Sequence, residues 1–419
     1  MKKAEINSQE FLNRLSVVYG DEAAAQQSRY NALLEAYEND FGAGADVRFF
    51  SAPGRTEVGG NHTDHNNGKV LAAAVNLDAV AAVEATDDGI IRVNSQGYSP
   101  LVIDTACLDV VDSEAGTSAA LIRGVCARFN ELGYKFGGFN ATMTSRVLSG
   151  SGLSSSAAYE VLIGTILNYL YNDGKISAVE IAQISQYAEN VFFKKPCGLM
   201  DQTACSVGGF VKIDFEDTAK PVIEKVDFDI AKHGYNLCII DTGGNHADLT
   251  DDYAAIRLEM NSVAEFFGKP VLRQVAEADV MANIGDIRVK TGDRAIERAI
   301  HFYNENKRVE RLAAALSSGD FEAFKATIIE SGKSSYMYNQ NCFTLTNPKE
   351  QPVALALCVA EELLKGKGAY RVHGGGFAGT IQAFVPVEIT EEFVGAMSKI
   401  LGENSCYILK VRSHGGCEI

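Results

Sequence analysis

The stretch SGSGLSSSAAYE, Ser149 to Glu160, passes from a glycine-rich turn straight into a helical pattern. Gly150 and Gly152, on either side of Ser151, let the backbone approach a ligand with no Cβ in the way. Beyond Leu153, the residues Ser154, Ser155 and Ser156 supply short hydroxyl donors. Ala158, Leu162, Ile166 and Leu170 recur at four-residue spacing, which predicts a helix with one apolar face whose start is anchored against a core. Its unpaired first amides then face an anion, and amides and macrodipole together favour a phosphate. The dipole contributes about 0.3–1 kcal/mol, or about 2 kcal/mol when partly buried. No lysine follows the glycines, so the turn is not a phosphate loop of the GK[ST] type. Taken alone, the stretch is also satisfied by a serine-capped helix after a turn, and the choice falls to the rest of the chain.

A chain of 419 residues with 46% hydrophobic content has enough apolar material for two packed domains sharing a cleft. The net charge of −16 argues against a general nucleic-acid or anionic-membrane surface. An anionic nucleotide therefore needs a local positive site. Nine scattered cysteines, odd in number and without a CxxC pair, read as thiols of a reducing compartment. MKKAEINSQEF at the start has no apolar run behind its lysines, and nowhere do about 18 apolar residues follow one another. The expectation is a cytoplasmic protein, monomeric, with no membrane or nucleic-acid partner.

Along the chain, Gln9 to Asn39 reads as a helical N-terminal arm. Val47 to Ser51 reads as a strand entering a tight turn at Pro53 and Gly54, which delivers Arg55. GRTEVGGNHTDHNNGKV then gathers Arg55, Glu57, His62, Asp64 and His65 within eleven positions, a polar density that points to a ligand as readily as to a surface loop. Val70 to Glu84 alternates in its second half, and Ile90 to Asn94 reads as its hairpin partner across Asp-Asp-Gly. A helix over Gly116 to Gly133 and a strand over Phe139 to Met143 lead into the serine turn. Ile176 to Asn190 is helical and brings Glu189 ahead of the irregular stretch from Phe193 to Gly198. Asp201, among apolar and small residues, is half-buried by expectation and needs a partner. Strands at Phe210 to Phe215 and Leu237 to Asp241 straddle a domain boundary placed near residue 215, giving domains 1–215 and 216–419. Val275 to Leu316 and Val353 to Leu364 are helical. GAYRVHGGGFAGTIQAFVP sets a glycine-rich turn between helix and strand. His246, His301 and His414 read as surface or capping residues.

Three glycine-rich stretches with a buried carboxylate and an arginine suit phosphoryl transfer, and the chain resembles the GHMP kinases, nearest the galactokinase branch. The resemblance rests on APGR at Ala52 with His-Thr-Asp at His62, GLSSSAA at Gly152, AEN at Ala188, CGLMDQ at Cys197 and GGGFAG at Gly374. It implies a two-domain α+β fold with the active site in the cleft between the domains. It implies ATP held by Gly150, Ser151, Gly152, Leu153, Ser154, Ser155 and Ser156, with Gly375 and Gly376 closing over the same site. Mg²⁺ is implied at Ser156 and Glu189, an arrangement that suits an ion taking few protein oxygens. Asp201 matches the acid beside the sugar's anomeric hydroxyl, and Arg55 the arginine near that hydroxyl and the moving phosphate. An arginine there keeps Asp201 ionised and stabilises phosphoryl charge. Sugar contacts are implied at Asn61, His62, Asp64, Gly198 and Tyr253.

The chain departs from the galactokinase pattern in four places. Asn61 stands where the branch has a glutamate for the sugar's 6-hydroxyl, Glu57 where it has an asparagine, His65 where it has a tyrosine, and NCFTLTNPKEQ blurs a further segment. An asparagine can serve a 6-hydroxyl or donate to a 6-carboxylate. The reading is therefore a galactose 1-kinase, with a galacturonate or other C6-variant kinase as the alternative. A silent sugar sensor is the other class, opposed by the intact Ser156, Ala157, Asp201 and Arg55.

Overall fold

The structure, a computed structural model, describes residues 3–147, 152–244 and 249–419. Gly150, Ser151 and His246 lie outside them. Among the described residues twelve strands form two sheets: β1 Arg48–Gly59, β2 Lys69–Thr86, β3 Ile90–Ser95, β4 Leu101–Asp104, β5 Gly138–Ser145, β6 Phe210–Asp214, β7 Val222–Val226, β8 Tyr235–Asp241, β9 Ala369–His373, β10 Thr380–Pro386, β11 Cys406–Leu409 and β12 Cys417–Glu418. The first sheet runs β12-β1-β2-β5-β3-β4, with β6 also on β2 and β7 beyond β6; the second runs β11-β8-β10-β9. The first sheet thus extends past residue 215 through β7 and takes back the C-terminal strand.

The long strand β2 is the trunk. Its early residues, Lys69 to Ala73, pair with β6, its late ones, Ala79 to Thr86, pair with β5, and β1 lies along its other edge. This corrects the expected hairpin between β2 and Ile90–Asn94: β3 pairs parallel to β5 instead. Asp-Asp-Gly does turn the chain, but the apolar face of β5, with Phe139, Ala141 and Met143 buried, takes the place beside β2. A turn signal carries no information about a later strand that inserts.

The expected tight turn at Pro53 and Gly54 is also corrected, because β1 runs straight through both, with a register shift between Pro53 and Arg55. Pairing with β12 covers Phe50 and Ser51 only, so the missing amide of Pro53 interrupts no ladder on that edge. At Gly54 a Cβ would lie 2.9 Å from both the Leu153 carbonyl oxygen and Val147. The glycine is there so that the serine turn can lie against the strand.

The helix Ser155–Tyr171 buries Ala158, Val161, Leu162, Ile163, Ile166 and Leu167 completely. It is apolar around most of its girth rather than on one face, because it lies between β1 and β2 and the helices Ser118–Glu131, Ala178–Tyr187 and Met200–Val207. Each of its buried Val, Leu and Ile side chains contributes about 1.5–3 kcal/mol on burial, so the helix start is rigidly placed. The N-terminal arm forms as expected, in helices Gln9–Tyr19 and Ala23–Phe41. Phe11, Tyr30 and Phe49 meet edge to face at 5.4–5.9 Å. Below them the fully buried Asp78 accepts from Arg29 at 2.5 Å, Arg412 at 2.9 Å, Tyr19 at 2.6 Å and Ser51 at 2.5 Å. Arm, trunk strand and C-terminus are tied at one carboxylate. No helix among the described residues is long and apolar enough to cross a membrane.

Candidate active site

Arg55 and Asp201 meet in a two-pronged ion pair, Nε to Oδ1 and Nη2 to Oδ2, each at 2.7 Å. Arg55 comes from β1 and Asp201 from the first turn of the helix Met200–Val207, where the macrodipole also favours a carboxylate. The serine turn is stapled to the same pair. Ser154 donates to Asp201 Oδ2, the Gly152 carbonyl accepts from the guanidinium, and the Leu153 carbonyl accepts the Arg55 amide at 3.1 Å. Ser154 makes this contact from a left-handed backbone, φ 59°, a conformation that costs a serine about 1–3 kcal/mol and recurs at ligand sites. Burial alone would raise the pKa of Asp201. The charge and hydrogen bonds of Arg55 and Ser154 outweigh it and hold the carboxyl below its usual range.

Two buried acids lie together here, Glu160 on the serine helix and Glu189 packed against its first turn. Glu189 sits in a widened, π-helical turn, Ala188–Phe192, of a kind that recurs at functional sites. Ser156 donates to its Oε1 at 2.9 Å and Gln202 to its Oε2 at 2.6 Å. Gln202 also reaches Glu160 at 3.2 Å, and burial, with Glu189 nearby, pushes Glu160 well above the ordinary carboxylate range. Sequence reasoning passed over Glu160, although it closes the very stretch that opened the reading. An acid on an otherwise buried helix was the available signal.

The His-Thr-Asp loop lies on the other side of Asp201. A Cβ on Gly198 would stand 2.7 Å from Asp64 Oδ2, so the glycine makes room for that carboxylate. Burial, then the neighbouring Asp201, raises the pKa of Asp64. Asp64, His65, Lys195, Cys197, Asp201 and Arg257 share a cavity of about 630 Å³. A second cavity, about 670 Å³, adjoins the start of the serine helix between Tyr98, Arg146, Ser155, Ser156, Tyr159 and Phe193. None of Tyr98, Arg146, Tyr159 or Phe193 carried a sequence signal.

The turn Gly374–Gly376 joins β9 to β10, two strands, rather than a helix to a strand as expected. Its carbonyls bond the loop. Asn61 donates to Gly374 at 2.7 Å, His62 Nε2 bonds Gly375 at 2.9 Å, and Tyr253 donates to Gly376 at 2.8 Å. Gly375 and Gly376, expected over the nucleotide, thus lie against the His-Thr-Asp loop, while a Cβ at Gly152 would come within 3.3 Å of His373. Burial lowers His62 to about 4, so at neutral pH it is uncharged and its Nε2 carries the donated proton. His301, expected as a surface or capping residue, is fully buried and bridges Ser334 and the Asn61 carbonyl at 2.8 and 3.0 Å.

A model described as the GHMP kinases N-terminal domain matches residues 120–209, and one described as the galactokinase galactose-binding signature matches residues 35–85. A galactokinase of Streptomyces coelicolor is 34% identical over 342 residues, covering 81% of this chain and 84% of that protein. One from Glaesserella parasuis is 32% identical over 372 residues, 88% and 91% of the two chains. The chain belongs to the galactokinase family. Membership makes it an ATP-dependent sugar kinase. In fold it is similar to the galactokinase of Lactococcus lactis solved in complex with galactose, with TM-score 0.78 and 23% identity over 93% of this chain and all of that one. A mevalonate kinase shares the fold at TM-score 0.62 and 13% identity, over 87% and 99% of the chains.

Against the galactokinase pattern, two of the four departures touch each other. Asn61 Nδ2 donates to Glu57 Oε1 at 3.0 Å, so acid and amide have exchanged places as a pair. Glu57 is neutralised by the buried Arg371 at 2.8 Å. Both protons of the Asn61 amide are used, on Glu57 and Gly374, and its oxygen accepts from Ser335 at 3.2 Å and Asn341 at 2.9 Å. The side chain has no hydrogen-bonding capacity left for a ligand.

The donor set at Ser156 and Glu189 fits magnesium, which takes one or two protein oxygens alongside phosphates and water. Among the described residues no three His, Cys, Asp or Glu groups converge as a metal cage.

Proposed function

We propose that the chain transfers the γ-phosphoryl group of ATP to the anomeric hydroxyl of galactose. The observation that carries this is Asp201, held ionised by Arg55 and Ser154 at the edge of a cavity that Asp64 also lines. Asp64 accepts from neighbouring ring hydroxyls, with Gly198 leaving it space, and His62 and Tyr253 support that side from the glycine turn. Asp201 accepts the hydrogen bond of the anomeric hydroxyl and orients it, taking its proton as the sugar oxygen bonds to the γ-phosphorus and the bond from that phosphorus to the leaving ADP breaks. Arg55, already balanced by Asp201, gains a second anionic partner as charge builds on the phosphoryl oxygens. Gly150 to Ser156 and the start of the serine helix hold the phosphates, and the cavity beside Tyr98 and Phe193 takes the base. Ser156 and Glu189 would hold the magnesium ion, which neutralises phosphate charge when bound.

The galacturonate alternative drew on a free Asn61 amide, and that amide has no proton to give. The test is coupled ADP release with ATP and Mg²⁺ over galactose, galacturonate, glucose, N-acetylgalactosamine and L-arabinose. Turnover on galactose with little on galacturonate is expected. Preferential turnover of galacturonate, or sugar binding with no turnover at all, would overturn the proposal.

A further inference from the structure

Lys195 plays no part in the chemistry above, yet its ammonium occupies a telling position. Nζ lies 2.9 Å from Glu189 Oε1, the same oxygen to which Ser156 donates at 2.9 Å. The lysine side chain is 59% exposed and the glutamate's 2%, so the ammonium reaches a buried carboxylate from the open side. That side is the cavity Lys195 shares with Asp201. The lysine's own amide is fixed to the Glu189 carbonyl at 3.1 Å, and the backbone around it is constrained by the left-handed Lys194, φ 65°, and by Pro196. Only the four-carbon stem is left to move.

Charge arithmetic gives the arrangement a purpose. Arg55 and Asp201 balance each other as an ion pair, and Lys195 is the cation that faces Glu189, a carboxylate that would be costly unpaired at this depth. A divalent cation on the Ser156–Glu189 pair would repel an ammonium from that oxygen. Lysine suits the exchange, being a compact point charge on a flexible stem, and nucleotide phosphates would offer it new acceptors.

We infer that Lys195 is an exchangeable counter-ion: it covers Glu189 in the free enzyme, yields that oxygen to the divalent cation arriving with the nucleotide, and turns its ammonium to the phosphates. The inference rests on the reading of Ser156 and Glu189 as the cation pair. Manganese binding read by electron paramagnetic resonance, with and without ADP, tests both separately. Lys195→Met is expected to bind Mn²⁺ in the absence of nucleotide about tenfold more tightly than the wild type, the scale of one charged hydrogen bond. Calorimetry in the presence of Mn²⁺ should show its ADP affinity about tenfold weaker, with Lys195→Arg close to the wild type in both measurements. A fixed structural salt bridge would instead leave ADP affinity unchanged in Lys195→Met, and that result would overturn the exchange. So would equal Mn²⁺ affinity in the two proteins while the wild type still takes up Mn²⁺ with ADP. If ADP binds but recruits no Mn²⁺ to the wild type, the cation pair itself falls and the inference with it.

Discussion

The proposed mechanism rests on the Arg55–Asp201 ion pair, two residues 146 positions apart in sequence. Asp201→Asn keeps the shape and loses the charge, so turnover should fall by about 10²–10⁴-fold, the range of a lost proton acceptor. Galactose affinity, measured by calorimetry, should stay within a few-fold, and a variant with near-normal turnover would remove Asp201 from the mechanism. Residue identities of this kind were legible because the motifs are local: His62, Asp64, Ser156 and Asp201 each announce themselves beside a glycine or in a fixed string. Asn61 shows where that stops. Its position in the motif pointed to the sugar, but its partners Ser335, Asn341 and Gly374 are brought to it by folding, and hydrogen-bond saturation is a property of partners.

At the scale of elements, the arm is fastened to the first sheet through Asp78, whose two arginines come from the arm and from the C-terminal segment. Burial would raise Asp78, but Arg29 and Arg412 outweigh it and the carboxyl lies below its ordinary 3.8. Its folded value is the lower one, so its contribution is present above the unfolded value and is lost as pH falls through the folded value. Asp78→Asn should cost about 3–5 kcal/mol at neutral pH, because it strands two buried guanidinium groups. In urea titrations the deficit should shrink as the wild type is taken below pH 4; a deficit independent of pH would refute the assignment. The arm itself was legible from Phe11, Leu33, Leu34 and Tyr37 at helical spacing. The order of β2, β5 and β3 was not, because Ile90 to Ser95 carries the same alternation whichever strand stands beside it.

The molecule as a whole brings parts of both sheets to one site. Arg55 and the serine helix belong with the first sheet, the Gly374–Gly376 turn with the second, and Asn61 and His301 link the His-Thr-Asp loop to the helices between. We propose that the two sheets mark two lobes meeting at this cleft. Sugar and nucleotide together should then stabilise the whole chain in one transition, by about 2.7 kcal/mol for each ligand present at 100 times its Kd. Differential scanning calorimetry checks this, and two separate transitions with only one responding would contradict the shared cleft. The sequence by itself determined the family and pointed to the residues proposed as phosphate turn and catalytic pair, since glycine spacing, short hydroxyls and acid–base types are chemical properties of adjacent residues. Only the tertiary structure decided that Asn61 and Glu57 form one saturated pair, that Glu160 is a fully buried acid, that the glycine turn lies on the His-Thr-Asp loop, and that Lys195 covers Glu189. Those facts depend on desolvation and on contacts between residues distant in the chain, which no local pattern encodes.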